Sequence, residues 1–151
     1  MLKAAVYLDT TVPSAYYDGR APDRQRLTEH FWRTRLPDFE PVISVVVLRE
    51  IQDTPDPDRR SELAGLVDGL PILPFNEEAD ALTREYLAQG VFPQDYEADA
   101  NHVAIAVVNG IQYLASWNFK HLVRVATRRR VNLVNALVGY GPIEIVAPPE
   151  L

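Results

Sequence analysis

The chain has no cysteine and only three histidines among its 151 residues. The absence of cysteine excludes a disulfide framework and any zinc site built on thiolates. A chain of this length buries a sizeable core without such cross-links, so we expect a single domain spanning residues 1–151. Hydrophobic residues make up 47% and charged residues 24% of the sequence, a globular composition that argues against disorder and fibrous folds.

Long apolar runs are also absent. The N-terminal apolar stretch ends at Asp9 and is too short for a secretory signal peptide. No run approaches the roughly 20 apolar residues that a membrane-spanning helix needs. The sequence therefore predicts a cytoplasmic protein with no membrane partner.

Positive charge is scarce, because 15 lysines and arginines stand against 21 acidic residues, a net charge of −6. This balance argues against a protein that holds nucleic acid by a general positive field. The basic residues form two clusters, which are either solvated helix faces or contacts to phosphate groups. The early cluster is Arg20, Arg24, Arg26, Arg33 and Arg35, and the late cluster is Lys120, Arg124, Arg128, Arg129 and Arg130.

Short apolar segments alternate with helical patterns along the chain. The pattern predicts strands at residues 4–8, 41–43, 71–75, 112–116 and 143–146. It predicts helices beginning near Pro13 and at 22–36, 45–51, 58–70, 77–89, 96–109 and 119–138, with Ser44, Asn76 and Asp95 as N-caps. Strands separated by helices imply an α/β fold with a small, mainly parallel sheet flanked by helices.

Two carboxylates stand out in this pattern. Asp9 follows the first predicted strand, and ligands of open α/β sheets bind outside the carboxyl ends of strands, although Asp is also common in turns and caps. Glu50 shares a helix face with Val46 and Val47 and has no lysine or arginine one turn away. A metal, a distant base or water must compensate such a charge, unless the side chain reaches solvent at the edge of the apolar face.

Asp99 repeats this pattern on a later helix, where Val103 and Val107 follow on the same face. His102 is the nearest titratable group, either hydrogen-bonded to Asp99 or placed at the edge of the core. If the three carboxylates converge, their mutual repulsion is relieved by a hard divalent cation such as Mg²⁺ or Mn²⁺.

Four segments, in this order and at compatible spacing, resemble the motifs of PIN-domain ribonucleases, a family that includes the VapC toxins. The resemblance spans nearly the whole chain and implies a PIN-like fold, a small parallel sheet between helices. The segments are Val6-Tyr7-Leu8-Asp9-Thr10-Thr11, the helix around Glu50, Asp99-Ala100-Asn101-His102-Val103-Ala104-Ile105-Ala106, and Tyr113-Leu114-Ala115-Ser116-Trp117-Asn118-Phe119-Lys120-His121-Leu122.

The resemblance implies a role for each matched residue. Asp9, Glu50 and Asp99 would be the metal ligands, and Asn118 would complete the catalytic set where the family often has Asp. Because an amide carries no charge, a second cation should bind less tightly than in a site with four carboxylates. Thr10 and Ser116 would orient water or a phosphate oxygen, although Thr10 could equally be a turn-capping hydroxyl.

The resemblance implies the activity of a Mg²⁺- or Mn²⁺-dependent endoribonuclease that hydrolyses RNA phosphodiester bonds. It also implies that the protein could be the toxin of a toxin–antitoxin pair. Lys120, Arg124 and Arg128 would guide the RNA backbone, and the early arginine cluster is the weaker candidate. The family also implies a homodimer and an antitoxin partner. Four aromatic residues would either contact that partner or lie in the core: Tyr16, Tyr17, Phe31 and Trp32.

Other classes of protein remain open. Asn118 is also compatible with a catalytically weakened PIN-like domain that binds RNA or has a regulatory role. A phosphatase with Asp9 as its nucleophile is disfavoured, because that motif needs a second Asp where this chain has Thr11. A structural partner protein would be distinguished by exposed apolar surface.

Overall fold

The computed structural model describes residues 2–151, which build a five-stranded sheet in the order β3-β2-β1-β4-β5. Every strand pairing is parallel, and β1 lies at the centre, where Tyr7 pairs with Val42 on one side and Leu114 on the other. The strands are β1 Ala5–Leu8, β2 Glu40–Ser44, β3 Ile72–Leu73, β4 Tyr113–Ala115 and β5 Glu144–Val146. The predicted α/β class and parallel sheet are confirmed.

Seven α-helices connect and extend the strands. None of the helices in residues 2–151 has the length and apolar character required to cross a membrane. The helices are α1 Thr11–Tyr16, α2 Pro22–His30, α3 Val45–Gln52, α4 Pro57–Val67, α5 Glu77–Ala88, α6 Glu97–Val108 and α7 Val125–Val138.

The strand order reverses beside β1. From β1 the chain moves outward through β2 to β3, and it then crosses back to β4 on the other side of β1 and continues to β5. With right-handed crossovers, the helices before and after this reversal cover opposite faces of the sheet. The carboxyl ends of β1 and β4 therefore flank a switch point, where α/β sheets bind ligands. Asp9 and Ser116 directly follow these two strands.

Two of the three predicted N-caps are confirmed. The Ser44 Oγ accepts hydrogen bonds from the backbone N–H groups of Val46 and Val47, at 3.1 and 3.4 Å, so β2 passes directly into α3. The Asn76 Oδ1 accepts from the N–H of Ala79 at 2.9 Å. These caps satisfy N–H groups that have no partner inside the helix.

The third predicted cap, Asp95, is wrong. Asp95 lies exposed in a 3₁₀ turn, Gln94–Tyr96, and α6 begins at Glu97 without a side-chain cap. The 3₁₀ turn places Tyr96 at the N-cap position of α6, so the Asp95 carboxylate does not cap the helix.

Several predicted boundaries also change; the predicted helix 58–70, for example, is α4, Pro57–Val67. The predicted strand 71–75 shrinks to Ile72–Leu73, because the flanking prolines have no N–H to donate to a ladder. The predicted helix 22–36 is α-helical only to His30 and continues as a π turn, Phe31–Arg35, and a 3₁₀ turn. The predicted helix 119–138 is helical only from Val125, after turns in which the Asn118 carbonyl accepts two backbone hydrogen bonds.

Candidate functional site

Asp9 lies at the carboxyl end of β1 and is 3% exposed. Its Oδ1 accepts hydrogen bonds from the Thr11 N–H at 3.0 Å and the Thr11 hydroxyl at 2.5 Å, and its Oδ2 accepts from the Ser116 hydroxyl at 2.6 Å. Burial raises the pKa of Asp9 above its usual range, although the charge of His102 and these hydrogen bonds oppose the shift. Asp9 is therefore a fixed carboxylate whose negative charge is poorly solvated.

Glu50 lies near the end of α3 and reaches two side chains from other parts of the chain. Its Oε1 accepts hydrogen bonds from the Thr10 hydroxyl at 2.7 Å and from His102 Nε2 at 2.6 Å. Burial raises the pKa of Glu50, but the hydrogen bond and charge of His102 outweigh burial, and the net shift is downward. The sequence left a metal, a distant base, water or exposure to solvent as ways to compensate the charge of Glu50. The structure shows a distant base, His102.

His102 is buried in α6 and uses both ring nitrogens. The sequence predicted that His102 is either hydrogen-bonded to Asp99 or placed at the edge of the core. In the structure it is buried, and its Nε2 is hydrogen-bonded to Glu50. Its Nδ1 lies 2.6 Å from the Tyr7 hydroxyl, which lies 2.7 Å from the Ser44 Oγ. A continuous chain of side chains therefore runs from the cap of α3, through β1 and α6, back to Glu50 on α3.

The sequence did not reveal the roles of Tyr7 and His102 in this network of hydrogen bonds. The available signal was a hydroxyl-bearing residue within an apolar strand and a histidine within an apolar helix segment. Neither signal names a partner, because Tyr7 and His102 are 95 residues apart in the sequence.

Asp99 lies in the first turn of α6 beside Asn118. The Asn118 Nδ2 donates to Asp99 Oδ1 at 3.3 Å, and the Asn118 N–H donates to the Ser116 Oγ at 2.9 Å. Burial raises the pKa of Asp99 above its usual range, and the charge of Glu50 acts in the same direction, against the opposing charges of His121 and His102. Asn118 thus connects the turn after β4 to Asp99.

The three predicted carboxylates all lie near enough to His102 to affect its pKa. Burial alone would lower the pKa of His102, but the hydrogen bond to Glu50 and the charges of Asp9, Glu50 and Asp99 raise it above its usual range. The structure therefore brings together, at the switch point, residues from β1, α3 and α6.

The donor chemistry fits a hard divalent cation, since three carboxylates supply oxygen ligands in a poorly solvated place. Glu50 Oε2 and Asp99 Oδ2 accept no hydrogen bond from residues 2–151. Within that same range, no three Asp, Glu or His side chains stand close enough to share one ion. His102 supplies a positive charge among these carboxylates when it is protonated, and its raised pKa favours that form.

Comparisons with known proteins identify the architecture. No protein-family model and no curated protein matches the chain. The solved structures that superpose on it include three of VapC or VapBC proteins. The chain has a PIN-like, VapC-type fold.

The sequence identities in these superpositions are low, so the likeness concerns the fold. VapBC2 from Rickettsia felis, bound to a promoter DNA fragment, matches at a TM-score of 0.54 and 16% identity, covering 77% of this chain and 89% of the other. VapC20 from Mycobacterium tuberculosis, a sarcin–ricin-loop-cleaving toxin, matches at 0.56 and 14%, covering 92% and 98%. VapBC-5 from the same organism matches at 0.55 and 20%, covering 95% and 98%.

Basic residues around the carboxylates are arranged differently from the sequence expectation. Arg24, from the early cluster, lines a groove of about 350 Å³ together with Thr10, Glu50 and Trp117. Arg128 instead donates to the Ile145 carbonyl on β5 at 3.4 Å. The arginine that lies beside Glu50 therefore comes from the early cluster, which the sequence made the weaker candidate for contact with RNA.

Lys120 and Arg124 are exposed after β4, and the Arg124 guanidinium donates to the Lys120 carbonyl at 3.3 Å. Arg124 lines a separate cavity, which includes Gly90 and Phe92. The predicted contact of these two residues with the RNA backbone stays a prediction.

The four aromatic residues considered for a partner contact divide into two groups. Phe31 is 1% exposed and belongs to the core. Tyr16, Tyr17 and Trp32 are half-buried, and Tyr16 packs edge-to-face against both of the others, with ring centroids 4.9 and 5.8 Å apart. A contact between this group and a partner stays a prediction.

Proposed function

We propose that this protein is a metal-dependent endoribonuclease that hydrolyses RNA phosphodiester bonds. The observation that carries the proposal is the placement of the three carboxylates near His102 at the switch point of a VapC-type sheet. Glu50 is hydrogen-bonded to His102, Asp99 lies three residues before it on α6, and Asp9 lies two residues after its other partner, Tyr7. Three carboxylates at such an edge are the oxygen ligands that a cation for phosphodiester chemistry requires. Asp9, Glu50 and Asp99 would hold Mg²⁺ or Mn²⁺ after their side chains draw closer together, because within residues 2–151 no three such side chains stand close enough to share one ion.

When bound there, such a cation neutralises charge on the scissile phosphate and activates water. The surrounding hydroxyls hold its ligands in place: Thr11 and Ser116 fix Asp9, and Thr10 fixes Glu50. Ser116 is fully buried, so it acts on Asp9 and Asn118 and does not touch substrate.

Asp99 would also orient the attacking water. Its Oδ2 accepts no hydrogen bond from residues 2–151 and would accept one from that water. Asn118 holds the other oxygen of Asp99 and fixes its orientation.

The biological setting follows from the same proposal. One similar structure is of a toxin that cleaves the sarcin–ricin loop, and another is of a toxin–antitoxin system. We therefore extend the proposal to the toxin of such a pair, a single-domain cytoplasmic protein that forms a homodimer and binds an antitoxin. A neighbouring short reading frame that encodes a DNA-binding protein would support this extension.

Cleavage by an Asp99→Asn variant tests the proposal. The variant should lose at least about 100-fold in cleavage rate, since even residues that only support a metal ligand cost 10–100-fold in metal affinity or activity. Its fold should persist, because burial already disfavours the charge of Asp99 and an amide oxygen can still accept from Asn118. The measurement is cleavage of RNA in Mg²⁺ or Mn²⁺, with circular dichroism as the check on folding.

Asp95→Asn is the matched control, because it removes the same charge from an exposed turn just before α6. It should cleave like the unmodified protein. If Asp99→Asn cleaves RNA as fast as the unmodified protein, or if excess chelator does not reduce cleavage, the proposal is wrong. RNA binding without any cleavage would favour the weakened RNA-binding domain, for which Asn118 is the supporting observation.

A further inference from the structure

An arginine and two aromatic rings form a cluster beside the carboxylates. The Arg24 guanidinium lies 5.2 Å from the ring centroid of Trp117 and 5.8 Å from that of Phe119. The two rings meet edge-to-face, with centroids 6.0 Å apart. We call Arg24, Trp117 and Phe119 the aromatic platform; its cation lies within the range of attraction to both rings.

The platform is firmly tied to the carboxylate site. The Trp117 N–H donates to the Thr11 Oγ1 at 2.8 Å, and Thr11 in turn donates to Asp9. The indole Nε1–H of Trp117 donates to the Thr28 Oγ1 on α2 at 2.9 Å, one turn after Arg24. Trp117 is only 7% exposed, so it supports the platform and presents little surface of its own.

Phe119 supplies the exposed surface. Its side chain is 49% exposed, although it directly follows Asn118, the partner of Asp99. Consecutive α-carbons are about 3.8 Å apart, so this ring is anchored next to the proposed site of hydrolysis. An exposed aromatic face beside a reactive centre is available to a flat ligand.

Arg24 differs from its neighbours in the early cluster. The other four arginines each lie within 4 Å of a nearby carboxylate, namely Asp18, Asp23, Glu29 and Asp38. The guanidinium of Arg24 forms no ion pair within residues 2–151 and instead covers the two rings while lining the groove beside Glu50. Its charge is therefore available to an incoming phosphate group.

We propose that the aromatic platform is a subsite for an unpaired nucleobase flanking the scissile phosphate, with the base stacked on Phe119 and the adjoining phosphate held by Arg24. Stacking on aromatic rings beside a cation is how proteins bind single-stranded nucleic acid. A single exposed ring next to an unpaired guanidinium fits a base and its phosphate better than the broad apolar patch typical of a protein contact. The assignment rests on the proposed ribonuclease function.

Binding without metal tests this subsite separately from cleavage. Two labelled ten-nucleotide RNAs are compared by fluorescence anisotropy in excess chelator: an unstructured mixed sequence, and an abasic strand of equal length and charge. The unmodified protein should bind the base-bearing strand more tightly. Phe119→Leu should weaken that binding roughly 5- to 150-fold, the loss of one stacked base, and leave the abasic strand unaffected.

Two variants serve as controls for this experiment. Phe119→Trp keeps an aromatic face and should retain the preference for bases. Arg24→Ala should weaken binding of both strands, whereas Arg26→Ala, which removes a carboxylate-paired charge from the same helix, should weaken neither.

Equal binding of the two strands by the unmodified protein would overturn the subsite and leave this face to a protein partner. An undiminished preference in Phe119→Leu would overturn it as well. If the protein cleaves no RNA in Mg²⁺ or Mn²⁺ but its preference for bases depends on Phe119, the subsite stands and the proposed hydrolysis fails.

Discussion

At the scale of single residues, Asn118 decides how much negative charge the site holds. Its Nδ2 donates to Asp99 Oδ1, and its Oδ1 accepts from the His121 N–H at 2.9 Å. One amide thus serves both a carboxylate and a backbone donor, which a fourth carboxylate cannot do. When protonated, His102 offsets the charge of only one of the three carboxylates, so a divalent cation would balance the charge of the other two.

Asn118→Asp should make the protein more dependent on metal. The new carboxylate still accepts from His121 but faces Asp99 as a like charge, so we expect the metal-free protein to lose about 1–2 kcal/mol of stability. Because a fourth carboxylate strengthens cation binding, added Mg²⁺ should raise the melting temperature more than in the unmodified protein. Thermal unfolding across a Mg²⁺ titration measures both effects.

The control for that titration is Asn76→Asp, which adds the same charge at an N-cap where Asp also caps well. Its response to Mg²⁺ should equal that of the unmodified protein. A response of Asn118→Asp no larger than this control would contradict a cation site beside residue 118.

At the scale of elements, the junction of β2 and α3 connects the core to the site. Ser44 ends the strand and caps the helix, and its Oγ also meets the Tyr7 hydroxyl from β1. Glu50 lies on α3, so the cap that begins this helix also fixes the position of a proposed metal ligand. Val45, Val46 and Val47 form a helix despite their preference for strands, since the cap and the buried face outweigh propensity.

Ser44→Ala should therefore cost more than loss of an ordinary cap. Asn76→Ala removes the exposed cap of α5 and should cost about 1 kcal/mol. Ser44→Ala removes a buried cap and one hydrogen-bond partner of Tyr7, so about 2–4 kcal/mol is expected. Urea unfolding measures the free energy of unfolding of both variants. Equal losses of stability would show that the contact with Tyr7 contributes nothing.

At the scale of the whole molecule, a net charge of −6 sets how RNA can approach. Four of the early arginines are paired with carboxylates, and Arg128 is turned toward β5. Few cations near the site remain for phosphate, chiefly Arg24 with Lys120 and Arg124 as candidates. Affinity for RNA must therefore come from local contacts, because the overall field is repulsive.

RNA binding should accordingly depend weakly on salt. Two or three phosphate contacts on a single strand predict a slope of about −2 in a plot of log K against log salt concentration. Arg24→Ala should reduce the size of this slope by about 0.7, the share of one contact. Anisotropy titrations between low and moderate KCl concentrations measure the slope, and a much steeper dependence that is unchanged in Arg24→Ala would contradict this arrangement.

Local patterns determined much of the fold in advance. The alternation of apolar segments and helices predicted the parallel sheet, and short polar residues before helices predicted the caps at Ser44 and Asn76. The position of Asp9 followed from strand polarity alone, since a residue after a strand lies at its carboxyl end. Such features depend on neighbours within a few residues and can be read from the chain.

Tertiary structure alone decided which distant side chains meet. Glu50 and His102 are 52 residues apart, and Trp117 meets Thr28 on a helix 89 residues earlier. These contacts exist because β4 pairs with β1, which brings α6 and the turn after β4 against α2 and α3. No local pattern encodes strand order, so the partner of His102 and the placement of Arg24 emerged only from the folded chain.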